Sequence, residues 1–393
     1  MQLYGCRRSC KDSKKIELKY MKPKIIAMYL PQYHQIPEND EFWGEGFTDW
    51  VTVKNAKPLF EGHQQPRIPL NNNYYDLSKE EHVKWQAKLA RDYGIYGFGV
   101  YHYWFNNEKN LLTRPAEILR DMNPDEAVKY FFIWDNCNWT RSWSNIKGND
   151  WAPLADDKIK KQTGPKILIP YVLGREKDWE NHYNYLKQHF HSKNYELNNN
   201  KPLFGIIWPS KEIYEMASYM NKLAKADGWD GIEFIYLNVT YKNIPKNALR
   251  YNYQPHHTAW YNNSIWEKIL AKLLNLCHIN LEKNLTTYEY DKVWCKLLQY
   301  AKQHPEPQLI HGAFVGYDDS PRRGAIKSKI VIGQNAQSFK KYLKELIEIC
   351  VAQNKQYLFL TAWNEWGEGA YLEPDIDSKF RYLESIKNAI NSI

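Results

Sequence analysis

Eight short apolar runs alternate with seven amphipathic stretches along this chain of 393 residues, and the ends of the apolar runs are crowded with rings, amides and acids. Such alternation is the pattern of parallel strands joined through crossover helices. Polar chemistry gathered just after the strands is what a closed barrel places at one of its ends. The sequence therefore predicts an α/β fold, a (β/α)8 TIM-type barrel with long loops at the C-terminal face of the strands. A doubly wound open sheet is the runner-up. It usually carries a Gly-rich phosphate loop after its first strand, where this chain has Pro31-Gln32-Tyr33-His34.

The first strand is expected over 24–30, directly after Met21-Lys22-Pro23, and a long insertion follows over 30–73. The helix at 78–93 repeats its apolar positions near every 3.6 residues. Ser78 with Glu81 three residues on reads as a capping box opening it, and Gly94 reads as its C-cap stop. Strands two and three are expected at 97–103 and 130–134, with a second long insertion over 135–166 on the same face as the first. A helix at 176–191 then leads to strand four at 203–208. The helix at 211–226 ends before Gly228, another C-cap glycine, and strands five and six follow at 231–237 and 248–253. Helices at 263–276 and 288–303 precede strand seven at 309–315. A helix at 336–352, strand eight at 357–363 and a closing helix at 378–390 complete the order. No internal repeat or linker divides the chain, so residues 21–393 are expected to form one catalytic barrel domain. The first 20 residues are polar and basic without an apolar core; they are not a secretory signal and are expected to be a disordered extension ahead of a start at Met21.

Apolar content of 43% and charged content of 25% are ordinary for a soluble globular protein, and with no run of about 18 apolar residues no spanning helix is expected. The net charge of +8 is spread without a Lys/Arg block, so no nucleic-acid partner is expected. Six scattered cysteines (Cys6, Cys10, Cys137, Cys277, Cys295, Cys350) show no CxxC spacing and read as thiols of a reducing compartment. Cytoplasmic placement is the expectation, with peripheral association at the inner face of the membrane left open. The 16 Trp and 30 Tyr outnumber 14 Phe. That excess favours rings with a polar edge, which suit stacking against sugars.

The segment after strand eight, Thr361-Ala362-Trp363-Asn364-Glu365-Trp366-Gly367-Glu368-Gly369, carries two acids three residues apart among tryptophans. Paired acids are what a glycosidic bond requires, one to protonate the leaving oxygen and one to act as base or nucleophile. Most surface Glu are solvated loop acids. Trp363 and Trp366 weigh against that for Glu365 and Glu368, because indole surface beside a carboxylate raises its pKa. The other strand ends supply candidate sugar-binding residues. They are Tyr33 and His34 after strand one, then Tyr101, His102, Tyr103 and Trp104 at strand two. Trp134, Asp135, Asn136, Asn138 and Trp139 follow strand three, Tyr253 strand six, and Tyr317, Asp318 and Arg322 strand seven. Trp363, Asn364 and Trp366 complete the set. No cofactor and no metal site is expected: His256 and His257 are adjacent and point apart, and there is no HExxH, GxSxG or Walker loop.

These residues carry a resemblance. Tyr29-Leu30-Pro31-Gln32-Tyr33-His34, Phe42-Trp43-Gly44, Gly46-Phe47-Thr48-Asp49-Trp50, Lys57-Pro58-Leu59-Phe60 with Gly62-His63, Tyr93-Gly94-Ile95-Tyr96-Gly97-Phe98, Tyr101-His102-Tyr103-Trp104-Phe105, Asn138-Trp139-Thr140-Arg141, Ser320-Pro321-Arg322-Arg323 and Asn364-Glu365-Trp366 stand in one order from Lys24 onward. The chain resembles the WbsX family, bacterial proteins of surface-polysaccharide loci, which is itself similar to glycoside hydrolase family 99, the endo-α-mannosidases. The resemblance implies a (β/α)8 enzyme. By it Glu365 is the base that takes a proton from the sugar 2-hydroxyl, and Glu368 is the acid for the departing oxygen and then the base for the incoming acceptor. One departure stands out. Relatives read Trp-Ala-Asn-Glu-Asn-Trp where this chain reads Trp134-Asp135-Asn136-Cys137-Asn138-Trp139. In an extended stretch positions 135 and 137 share a face, so Asp135 is a candidate replacement for the missing acid.

Three functions remain. The first is a glycosidase or transglycosylase acting on an α-mannoside-like bond by a retaining two-glutamate mechanism, in lipopolysaccharide, O-antigen or capsule metabolism. The second is a WbsX-type glycosyltransferase with a nucleotide-sugar or lipid-linked donor, and the third a non-catalytic glycan-binding protein. The expected partner is an oligosaccharide or polysaccharide, with a lipid-linked form left open. The one DxD, Asp375-Ile376-Asp377, sits just before Ser378, where a helix cap accounts for it.

Overall fold

Eight parallel strands close into a ring: β1 (Lys24–Tyr29), β2 (Gly97–Asn106), β3 (Lys129–Trp134), β4 (Lys201–Ile206), β5 (Glu233–Leu237), β6 (Leu249–Tyr251), β7 (Leu309–Phe314) and β8 (Tyr357–Thr361). Each pairs in parallel with the next, and β8 returns to β1 with Lys24 opposite Tyr357. This computed structural model describes residues 21–140, 167–238, 244–245, 247–261, 286–325 and 328–393. The expected N-terminal extension at 1–20, the helix at 263–276, most of the insertion over 135–166, and Cys6, Cys10 and Cys277 lie outside them.

The strands hold because their side chains are buried on both faces. Every position of β7 and β8 is buried, as expected where barrel lumen and helix layer both exclude water. Gly97 is required for closure: a Cβ there would meet the Lys129 carbonyl oxygen at 2.4 Å. Among the described residues ten α-helices accompany the strands: α1 (Pro37–Trp43), α2 (Asp49–Asn55), α3 (Glu80–Asp92), α4 (Arg114–Asp121), α5 (Glu176–Phe190), α6 (Lys211–Ala226), α7 (Tyr290–Gln303), α8 (Ser320–Arg323), α9 (Ala336–Ala352) and α10 (Arg381–Asn391). α3 ends as its glycine predicts. Gly94 takes a φ of 86°, Ile95 N–H reaches the Ala90 carbonyl at 2.9 Å and Gly94 N–H that of Arg91 at 3.2 Å, which is a Schellman close. Gly228 closes α6 in the same way. The start of α3 differs from expectation: no capping box forms at Ser78, and Lys79 precedes the helix without a side-chain cap. Asp76 Oδ1 instead accepts the Ser78 N–H at 2.9 Å, tying the chain into a turn one step earlier. α1, α2 and α4, of 7, 7 and 8 residues, are too short for the period to show in sequence. Among the described residues no helix is long and apolar enough to cross a membrane.

Between the barrel and its helices lies a buried histidine cluster. His102 Nε2 is 2.9 Å from His182 Nε2, and His189 Nδ1 is 2.8 Å from the Tyr130 hydroxyl. Burial holds His102 well below its ordinary value and His182 and His189 down to about 3. Between the unfolded value near 6.5 and about 3, the unfolded chain binds protons that the folded chain refuses. Stability is therefore expected to fall as pH drops through that window. Thermal melts between pH 7 and pH 4 will show a falling midpoint; a midpoint flat over that range would contradict burial of these three as neutral rings.

Candidate active site

β8 delivers its chain into a tight turn. Trp366–Glu368 form one turn of 3-10 helix, and Gly369 closes it at a φ of 57° where a Cβ would press on Asp318. Asn364 clamps the turn to the end of β1, donating from Nδ2 to the Leu30 carbonyl at 2.9 Å and accepting the Leu30 N–H on Oδ1 at 2.7 Å. The Tyr33 hydroxyl donates to the Asn364 carbonyl at 2.6 Å and accepts the Trp366 N–H at 3.1 Å. Below, buried Glu373 accepts from Trp366 Nε1, the Tyr75 hydroxyl and Gln86 Nε2, each at 2.7 Å. Asp318 donates its N–H to the Glu368 carbonyl at 2.6 Å. Its own carboxylate is held by His63 at 2.8 Å and Gln65 at 2.6 Å. The turn is thus fixed on three sides before either acid is placed.

Both acids then meet one guanidinium. Arg322, on α8 just after β7, donates from Nη1 to Glu368 Oε1 at 2.6 Å. Its Nη2 donates to Glu365 Oε2 at 3.1 Å and to Asp49 Oδ2 at 2.6 Å. Three carboxylates around one cation leave an excess of negative charge, and Glu365 and Asp49 are buried besides. Burial, first, and then the charges of Glu368 and Asp49 raise Glu365 well above the usual carboxylate range against the pull of Arg322. Asp49 is raised for the same leading reason.

Glu365 and Glu368 line a cavity of about 930 Å³ at the C-terminal ends of the strands. Its wall brings together nine of the expected residues: Tyr101, Tyr103, Asp135, Asn138, Trp139, Tyr253, Arg322, Glu365 and Glu368. The hydroxyls of Tyr101 and Tyr253 meet at 3.0 Å.

A sequence profile described as Glycosyltransferase WbsX matches residues 25–386. The chain belongs to the WbsX family. This WbsX chain is 28% identical over 384 residues to a Xanthomonas campestris pv. campestris (strain B100) protein called Uncharacterized protein WxcX, a match over 93% of the chain and 49% of that relative. The WxcX of strain ATCC 33913 is also 28% identical, over 382 residues. The chain therefore spans about half the length of the curated relatives it matches. Among solved structures, a glycoside hydrolase-like protein superposes with a TM-score of 0.56 at 14% identity, covering 94% of both chains. The GH99 endo-alpha-mannosidase from Bacteroides thetaiotaomicron superposes at 0.53 and 14% identity, covering 94% of this chain and 97% of its own. At such identities the likeness is one of fold.

Other expected residues of the WbsX chain lie away from the cavity wall, and strand geometry explains His102, Trp104 and Trp134. Successive strand residues point to opposite faces, so Tyr101 and Tyr103 enter the lumen while His102 and Trp104 go to the helix layer. There His102 bonds His182, and Trp104 stacks on the His182 ring at 4.6 Å. Trp134 is buried in the same layer, with Nε1 on the Trp104 carbonyl at 2.8 Å. Tyr33, Asn364, Trp366 and Asp318 frame the turn that carries the two acids and do not line the cavity. Trp363 is fully buried against Phe98, Tyr317 is buried among His256 and Trp260, and His34 is buried outside the wall. The tryptophans consequently do not flank the acids as the sequence suggests: the Trp366 indole stacks on Tyr371 at 3.7 Å. Asn136 bonds the backbone of Trp208.

The wall also holds residues the sequence reading missed, among them Gln32, Cys137, Trp208, Asn238, Asn252, Asp319 and Arg323. Trp208 stands two residues beyond β4 and Asn238 directly follows β5, the position that marked the others. Asp49 had no such marker, because it arrives from the first insertion. His256 and His257, considered only for metal, also line the cavity and turn to different neighbours, Trp260 and Tyr300.

Cys137 donates its thiol to Asp135 Oδ1 at 3.1 Å, so positions 135 and 137 share a face as expected. Burial raises Asp135, with the thiol opposing. If Asp135 replaces the missing acid, Asp135→Asn lowers turnover about a hundredfold, the low end of what a positioned electrostatic group contributes. Steady-state kinetics unchanged in that variant would dispose of the replacement.

Proposed function

We propose that this chain is a carbohydrate-active enzyme working on an α-mannoside-like glycosidic bond through Glu365 and Glu368, in the metabolism of a surface polysaccharide. The observation that carries the reading is the pairing of both acids on Arg322 in the wall of one large cavity. Arg322 takes Oε1 of Glu368 and Oε2 of Glu365. The second oxygen of each is left to act on a sugar.

In this reading Glu365 takes the proton of the 2-hydroxyl while the 2-oxygen attacks the anomeric carbon from the face opposite the leaving group. The glycosidic bond breaks, and Glu368 gives its proton to the departing oxygen. Glu368 then takes a proton from the acceptor hydroxyl. The acceptor oxygen attacks the anomeric carbon, the bond from the 2-oxygen opens, and Glu365 returns its proton. Two inversions give net retention without an enzyme nucleophile. A raised pKa suits Glu365, since a base is most effective when its pKa lies near the working pH. With water as acceptor the product is hydrolysed glycan; with a sugar hydroxyl it is a transferred one.

A nucleotide-sugar transferase is the second reading, favoured by the family's description. Two features weigh against it. The guanidiniums of the cavity already serve acids, Arg322 as above and Arg323 Nε on Asp319 at 2.9 Å. Asp375 of the DxD accepts from the Tyr371 hydroxyl at 2.6 Å and from the Ser378 N–H, so it caps a turn. Mass spectrometry of the protein incubated with α-mannosyl oligosaccharides, with and without GDP- or UDP-sugars, separates the readings. Cleaved or rearranged glycan without nucleotide supports the proposal, and products that require nucleotide-sugar overturn it.

A further inference from the structure

Across the barrel from the two acids, an exposed indole stands on an anchored stretch of backbone. β4 and β8 are opposite members of the eight-strand ring, and Trp208, two residues beyond β4, lines the same cavity as Glu365 and Glu368. Eight strands about 4.8 Å apart and tilted near 36° make a ring roughly 15 Å across, wider than a single pyranose. Trp208 is 50% exposed. One exposed apolar side chain is ordinary; the anchoring of its backbone is not. Asn136, itself buried, grips the Trp208 backbone from both sides, donating to its carbonyl at 2.7 Å and accepting its N–H at 2.8 Å. The backbone that carries the ring is thereby anchored while much of the ring stays open to solvent. A flat apolar surface ordered in advance costs little further entropy when the C–H face of a sugar stacks on it.

We propose that Trp208 is the platform of a second pyranose subsite, seating a sugar unit other than the one whose bond the acids handle, so that the substrate is an α-linked oligosaccharide. This rests on the glycosidic reading above and adds its chain-length requirement.

The test compares wild type, Trp208→Ala and Trp208→Phe by titration calorimetry with methyl α-mannoside and an α-linked mannotetraose. Trp208→Ala is expected to weaken the tetraose about tenfold, the scale of one aromatic stack, with the monosaccharide unchanged, and Trp208→Phe to recover most of the loss. Equal weakening of both glycans, an unaffected tetraose, or a wild type that binds neither overturns the subsite. Turnover measured in parallel keeps the two ideas apart. Length-dependent binding without any cleavage or transfer would defeat the catalytic reading alone, and catalysis with length-independent binding would defeat the platform alone.

Discussion

Glu365→Gln and Glu368→Gln are each expected to cut turnover at least about a hundredfold, the usual worth of a positioned acid or base, with the fold intact. The amide keeps the shape of the side chain and an oxygen that accepts from Arg322, so what is removed is the ability to exchange a proton. Near-normal activity of either variant would reject its role. The pH profile then assigns the roles. Glu365 is raised above the usual carboxylate value, by burial first. As the base it works only when ionised, so kcat/KM is expected to climb as pH rises through that raised value, and this limb should vanish in Glu365→Gln. A rate that falls over the same range would exchange the two roles. Stability carries the opposite sign. A carboxyl whose folded pKa exceeds its unfolded one contributes most below the unfolded value near 4.3, and the contribution is lost as pH rises through the folded value. Glu365→Gln is therefore expected to melt higher than wild type at pH 8 or above, and an unchanged or lower midpoint would contradict burial of an ionised Glu365.

The barrel is legible in the sequence because each of its strands is a short run buried on both faces, and α6 and α9 begin and end where their apolar spacing says. The acids are legible for a different reason: Glu365 and Glu368 are close in sequence, and a short turn after a strand leaves them few places to point. The wall of the cavity was only half legible. Consecutive residues at a strand end look alike in sequence, whereas a strand sends alternate residues to opposite faces. Tyr101 and Tyr103 therefore reached the cavity, and His102 and Trp104 went to the helix layer. Asp49 shows the other limit. It is 273 positions from Arg322, and nothing local to α2 indicates that its first residue would join a charge cluster built at β7 and β8.

That cluster makes the sharpest prediction about how the site is held. Arg322→Met is expected to abolish measurable turnover and to cost about 3–5 kcal/mol of stability, the scale for removing one partner of a buried ion pair. The loss follows from geometry, since Asp49, Glu365 and Glu368 all lie within 3.1 Å of the guanidinium and would face one another without it. Arg322→Lys restores the charge but cannot reproduce a planar fork that reaches Glu368 from one nitrogen and the other two acids from the second. It is expected to recover part of the stability and little of the activity. Combining Arg322→Met with Asp49→Asn separates charge balance from catalysis. Removing one acid lowers the uncompensated charge, so the double variant should melt higher than Arg322→Met alone while remaining inactive. Chemical denaturation of the four proteins decides the matter. If Arg322→Met unfolds at the wild-type midpoint, the three carboxylates do not share a buried charge. If the double variant recovers turnover, then Arg322 serves only to balance Asp49, and the orientation of Glu365 and Glu368 must come from the turn beneath them.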